Sequence, residues 1–249
     1  MDVANNVKNL IKTGGIILLG IAAISWAISD DVPDFVEYEA GAERKEAFIS
    51  YFLPLIKEHN NAIIKSREKI YKWCQDKDNI GWWGRFQLEN VLDTYKLDNF
   101  DAKSDKDWAT LLRRVDVVPV SLALAQAANE SGWGTSRFGR EGYNYYGQWC
   151  YKQGCGLVPD KRKTGDVHEV EVFNSPRASV ESYLRNLNSN KAYKPLREIR
   201  ARLRAENKPI TGVELSRGLS KYSQRGNDYI SDLNSIIRYN NLLQYDISH

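Results

Sequence analysis

Glu130 ends a strongly apolar stretch, residues 118–130 (VPVSLALAQAANE), and is followed at once by Ser131, Gly132, Trp133 and Gly134. As the last turn of a helix, this position would bury the carboxyl and set it against the negative end of the helix dipole. Both effects favour the neutral acid. A carboxyl that stays protonated near neutral pH can hand a proton to a leaving oxygen, which is what a general acid for glycosidic cleavage must do. Trp133, Tyr143, Tyr145, Tyr146 and Trp149 follow closely, and such rings offer flat surfaces on which sugars pack. A competing reading makes Glu130 a solvated residue near a helix end and places the aromatics in the core.

The elements that would position these groups are mostly helical. Residues 40–76 carry Phe48, Phe52, Leu55, Ile56, Ile63, Ile64, Ile70, Tyr71 and Trp73 at helical spacing, interrupted at Pro54, and read as an amphipathic arm of one or two helices. A turn-rich stretch at 79–84 precedes a helix at 85–95, and Ser104 with Asp107 caps another at 105–115. Pro119 suits the opening of the apolar helix that ends at Glu130. Glycines at 132, 134, 139 and 142 then break the helical pattern, and an aromatic loop (YNYYGQWCY) follows. Residues 157–173 read as a small hairpin turning at Thr164 and Gly165. Helices resume with Ser175 and Pro176, run again from about Leu196 to Arg204, restart at Thr211 with Glu214, and end in a stripe of Tyr229, Ile230, Leu233, Ile236 and Ile237. The expected fold is mostly α with a small β-hairpin lobe, preceded by a helical N-terminal extension over 31–104.

Among 249 residues, 42% are apolar and 27% charged, which excludes disorder through lack of burial. Lys and Arg number 35 against 32 for Asp and Glu, with no long like-charge block, so no nucleic-acid partner is expected. No Cys or His spacing suits a metal site, and no cofactor is expected. Residues 14–28 (GGIILLGIAAISWAI) form an uncharged apolar run behind Lys8 and Lys12 and before Asp30 and Asp31. As a helix it would reach only about 22 Å, short of the roughly 30 Å hydrocarbon core, which favours a secretory signal over a full span. Residues 1–30 are therefore read as a signal peptide or an uncleaved inner-membrane anchor, and the protein as exported to the periplasm or cell envelope. In an oxidising compartment Cys150 and Cys155 (CYKQGC) can close a short disulfide loop, leaving Cys74 as a small apolar residue.

The segment LALAQAANESGWG from Leu122, followed by Phe138 and by Tyr143, Asn144, Tyr145, Tyr146 and Gly147, resembles the signature of the glucosaminidase domain of peptidoglycan hydrolases, glycoside hydrolase family 73. The likeness continues through VFNSPRASVESY and KYSQRGNDY, covers residues 105–243, and is strongest to the Bax-type bacterial subgroup. The resemblance implies a lysozyme-like glucosaminidase fold over 105–249 and hydrolysis of the β-1,4 bond after N-acetylglucosamine in peptidoglycan glycan strands. It implies Glu130 as the catalytic acid, Tyr229 as the C-terminal tyrosine near the site, and Tyr145 and Tyr146 as cleft aromatics. Tyr222 is a second, weaker C-terminal tyrosine, and Trp133 and Trp149 complete the expected glycan-binding set.

One feature departs from the family. Many members carry a second Glu on the first hairpin strand, where this chain reads LVPDKR, so Glu169 and Asp160 stand as equal candidates for a second carboxylate. Without one, a tyrosine-held water or the substrate's acetamido group would serve. A lytic transglycosylase and an inactive glycan-binding or scaffolding module are the rival classes.

Overall fold

Apolar periodicity in the chain resolves into nine α-helices and one small sheet among the described residues of the computed structural model, which are 32–246 apart from 161, 163, 164 and 166. The apolar run at 14–28 and the expected turn residue Thr164 lie outside them. No described helix is long and apolar enough to cross a membrane. The helices are α1 (Ala42–Gln75), α2 (Trp82–Thr94), α3 (Asp105–Arg114), α4 (Val120–Ser131), α5 (Arg137–Gly142), α6 (Pro176–Ser189), α7 (Lys194–Ala205), α8 (Gly212–Ser216) and α9 (Asn227–Tyr239). The strands are β1 (Trp149–Cys150), β2 (Gly156–Leu157) and β3 (Glu169–Glu171). The protein is mostly α with a small β lobe.

Several expected caps form. Ser104 Oγ accepts from Asp107 N at 3.3 Å, Ser175 Oγ from Ala178 N at 3.2 Å, and Thr211 Oγ1 from Glu214 N at 3.3 Å. One expectation needs correction. Pro54 does not interrupt the first arm, because α1 runs unbroken for 34 residues. An interior proline costs about 3 kcal/mol through its missing N–H and its clash with the preceding turn. Here Phe48, Phe52, Leu55 and Ile56 on either side are buried, and such side chains are worth about 1.5 to 3 kcal/mol each, enough to hold the helix together. The expected hairpin of the β lobe forms from β2 and β3, and β1 adds a further strand to it. Its sheet has the order β1-β3-β2, and Val170 lies opposite both Trp149 and Leu157 in antiparallel register. A disulfide joins Cys150 at the end of β1 to Cys155 just before β2 and closes the loop between these two strands. Cys74 is free and half-buried.

Helix α4 lies at the centre. Ten of its twelve residues are buried, and α1, α8 and α9 pack on it. A helix covered on so many sides can afford few polar side chains, and the uninterrupted run of Leu and Ala supplies the reason it sits there. The chain enters α4 through residues 115–118, which are buried and belong to no helix or strand. Buried backbone without secondary structure must find its hydrogen bonds elsewhere. Three elements supply them. From α1, Asn60 donates to the Val118 carbonyl at 2.8 Å and accepts from its N–H at 3.1 Å, while Arg67 donates to the Val115 carbonyl at 2.9 Å. From α6, Asn188 donates to the Asp116 carbonyl at 2.8 Å. From α7, Arg200 donates to the Asp116 and Val117 carbonyls at 3.1 and 2.6 Å.

The Asp116 carboxylate sits among these cations, 2.6 Å from Arg204, 3.5 Å from Arg67 and 3.7 Å from Arg200. Burial pushes its pKa up, but the three guanidiniums outweigh burial and hold it below the ordinary carboxylate value. A carboxylate with a depressed folded-state pKa contributes stability above its unfolded pKa and loses it as pH falls through the folded value. Replacing it strands buried arginines, so Asp116→Asn is expected to lower unfolding free energy by about 3 to 5 kcal/mol at neutral pH. The deficit relative to the parent should shrink as pH is lowered through the Asp116 titration, as measured by denaturant unfolding at several pH values.

Candidate active site

Glu130 occupies the last turn of α4, and Gly132 ends the helix in the left-handed conformation at φ 57°. Gly132 is followed by Trp133, also left-handed at φ 57°, so the chain turns away directly after the carboxyl. Gly147 lies on the other side of it. This residue has φ +63°, and a Cβ there would stand 3.1 Å from Glu130 Oε2. Bare backbone at 147 therefore leaves the carboxyl room to face outward, for a conformational reason as well as a steric one.

Beneath Glu130 runs a chain of buried polar groups. Tyr183 Oη donates to Gln126 Oε1 at 2.6 Å, and Gln126 Nε2 donates to Tyr229 Oη at 2.9 Å. With its oxygen accepting from Gln126, the Tyr229 hydroxyl turns its proton to the Glu130 carboxylate, to which it is hydrogen-bonded. Gln126 is one turn before Glu130, so both project from the same side of α4. Asn129 Nδ2 adds a longer bond to Glu130 Oε1 at 3.4 Å. Burial raises the Glu130 pKa, the hydrogen bonds from Tyr229 and Asn129 oppose it, and the net direction is upward. The carboxyl is thus more readily protonated than a solvated glutamate but is not stranded without partners.

Glu130 opens onto a cleft of about 910 Å³, a volume in the range of small-molecule and oligomer sites. Trp149 and Tyr222 line the cleft, as do Gln148, Ser182, Asn186 and Tyr193. Trp149 is 52% exposed and stacks on His168 with ring centroids 4.1 Å apart, a rigid aromatic platform. The half-buried Tyr222 stacks on Tyr229 at 5.6 Å and donates to the Tyr146 carbonyl at 2.8 Å.

The structure does not bring the remaining expected residues to the cleft surface. Tyr229 is 2% exposed and touches Glu130 from below through its hydroxyl. Tyr145 and Tyr146 are 1% and 0% exposed, so neither ring can carry a sugar. Tyr145 packs edge-on against Phe52 at 4.6 Å and Tyr146 stacks on Tyr183 at 3.9 Å. Trp133 packs edge-on against Phe48 at 5.6 Å, under the Lys45 ammonium, and faces α1. The long helix α1 is the physical cause, because its phenylalanines need apolar partners and take Trp133 and Tyr145 from the aromatic loop.

The second carboxylate also differs from expectation. Asp160 is exposed and pairs with Arg137 at 3.2 Å. Glu169 accepts from Gly154 N at 3.1 Å and Gly156 N at 2.8 Å, and these backbone donors lower its pKa. It fastens the disulfide loop and does not line the cleft. Glu171, two residues further along β3, does line it. Burial pushes the Glu171 pKa up, partly countered by the Arg185 guanidinium. Alternation along the strand put Glu169 and Glu171 on one face; only the folded disulfide loop shows which of them is consumed by backbone amides. Gln126 joins the site as well, and its signal in the sequence is an amide within an apolar helix, one turn before the acid, which must find a buried partner. Cys150, Cys155 and Glu169 lie close enough together for a metal, but the two sulfurs are bonded to each other.

Residues 105–242 match the family Glucosaminidase, described as mannosyl-glycoprotein endo-beta-N-acetylglucosaminidase. The chain belongs to the glucosaminidase family. It is also 35% identical over 206 residues to "Protein bax" of Escherichia coli (strain K12), covering 82% of this chain and 72% of that one. No solved structure matches. Within this member of the glucosaminidase family the matched region begins at α3 and holds Glu130, Glu171, Tyr222 and Tyr229, so both carboxyls lining the cleft among the described residues fall inside it.

Removal of the Tyr229 hydroxyl tests the buried chain. Tyr229→Phe leaves Gln126 Nε2 without its acceptor, so a stability loss of about 1 to 3 kcal/mol is expected. Because the lost bond favoured the charged form of Glu130, the Glu130 pKa should move further up, measurable by NMR titration of a carboxyl-labelled protein. An unchanged Glu130 titration would break the link.

Proposed function

We propose that this protein is an exported peptidoglycan hydrolase that cleaves the β-1,4 bond after N-acetylglucosamine, with Glu130 as the general acid. The observation that carries the reading is a carboxyl with an upward-shifted pKa, held by the Tyr183–Gln126–Tyr229 chain at the wall of a polar cleft in a glucosaminidase fold. A protonated Glu130 donates to the leaving oxygen, and the raised pKa widens the pH range in which that proton is present. Glu171 supplies the second carboxylate, as base toward an attacking water, which replaces Glu169 and Asp160 in that role. Trp149 and Tyr222 offer the ring surfaces for the sugars. Export is supported by the apolar run at 14–28 and by a disulfide whose persistence needs an oxidising compartment.

Digestion of purified sacculi with product analysis is the test. Reducing N-acetylglucosamine ends are expected. Anhydro-muramic ends would make the enzyme a transglycosylase, and binding without release would make it a glycan-binding module. Glu130→Gln should lower turnover by about two to four orders of magnitude while the fold is kept. The parent should lose activity as pH rises through the raised Glu130 pKa, because the acid is then deprotonated, and Glu171→Gln should remove the low-pH limb of the profile. Both limbs are read from kcat against pH.

A further inference from the structure

We propose that the cleft selects glycans bearing carboxylates over neutral ones, and that Lys96, Arg185 and Lys221 set this preference. The inference rests on the glycan-cleft reading above. Over the whole chain the charges nearly balance, at 35 basic against 32 acidic residues. The cleft does not share that balance, because its lining holds Lys96, Arg185, Lys221 and Arg225 against two carboxyls, Glu130 and Glu171. A cleft lined by one sign of charge raises the local concentration of the opposite sign.

These cations differ in how far they are already engaged. Arg225 is committed to Asp232 at 2.7 Å. Arg185 has a loose contact, 3.6 Å to Glu181 one helical turn away, with both side chains well exposed, and its charge also acts on Glu171 across the cleft lining. An exposed pair of that kind is worth little and exchanges readily for a better anion. Lys96 and Lys221 are exposed and make no ion pair among the described residues. The Lys96 backbone is nevertheless held, in the left-handed conformation at φ 58°, with its carbonyl accepting from Arg114 at 2.8 Å. Its ammonium therefore extends from a fixed point.

The three available cations come from three places in the chain: just after α2, on α6, and between α8 and α9. They suit a polymer that presents several carboxylates along its length. A wall glycan does this, with lactyl or peptide-stem carboxylates on alternate sugars, whereas a homopolymer of N-acetylglucosamine presents none. Coulombic attraction of exposed pairs is modest, so the selectivity comes from the sum of several contacts and weakens with salt.

Binding separates this from catalysis. Full-length Glu130→Gln protein, which holds substrate without turnover, is titrated by calorimetry with a peptidoglycan oligosaccharide and with the same oligosaccharide after carbodiimide amidation of its carboxylates. At low ionic strength the untreated form should bind about tenfold more tightly. The preference should fall to near unity when Lys96→Gln, Arg185→Gln and Lys221→Gln are added together, and should shrink at high salt. Equal affinity for the two forms, or a preference that survives all three substitutions, overturns the proposal. Selective binding by a protein whose parent releases nothing from sacculi would refute the hydrolase reading and leave this one standing. Release of wall fragments with no charge preference would do the reverse.

Discussion

A carboxyl at the end of a buried helix is costly unless its charged form is hydrogen-bonded, yet a carboxylate bonded too well is no longer an acid. In this protein the two pressures meet at Glu130. Burial raises its pKa and the Tyr229 hydroxyl opposes the rise, so the side chain is shifted but not isolated. The order of donors matters. Gln126 accepts from Tyr183 and donates to Tyr229, and the Tyr229 hydroxyl in turn favours the charged form of Glu130. All three supporting side chains are buried, so each bond operates where an unmade partner would be expensive.

That arrangement needs α4 held in one position, and the fold is organised to do so. The segment 115–118 that feeds α4 has side-chain donors from α1, α6 and α7, with Asp116 balancing the arginines among them. At the other end, α1 passes through Pro54 without a break and offers Phe48 and Phe52 to Trp133 and Tyr145. The aromatic loop after α4 is thus a packing element on one side and a cleft wall on the other. Tyr145 and Tyr146 stabilise the floor, while Trp149 faces the open space.

The β lobe divides its two acidic side chains between structure and site. Glu169 receives two backbone N–H groups of the disulfide loop, and the sheet pairing then places Glu171 two residues along at the cleft. The disulfide closes the loop whose backbone N–H groups at Gly154 and Gly156 take up Glu169.

Much of the site was legible in local sequence because its causes are local. The apolar run before Glu130, the glycines after it, the capping residues at 104, 175 and 211, and the short spacing of Cys150 and Cys155 each follow from short-range helix, turn and loop chemistry, and each appears in the fold. The stripe at Tyr229 foretold α9 but not which face of Tyr229 would matter. What the sequence could not show is which neighbour wins a side chain when several compete. Trp133, Tyr145 and Tyr146 looked like cleft aromatics, and only packing against α1 and Tyr183 decided that they belong to the interior. Glu169 and Glu171 are alike in type and spacing, and only the disulfide loop folding over one of them decided that the other faces the cleft. Burial and hydrogen bonding at these positions depend on residues far away in the chain, and a local pattern does not carry that information.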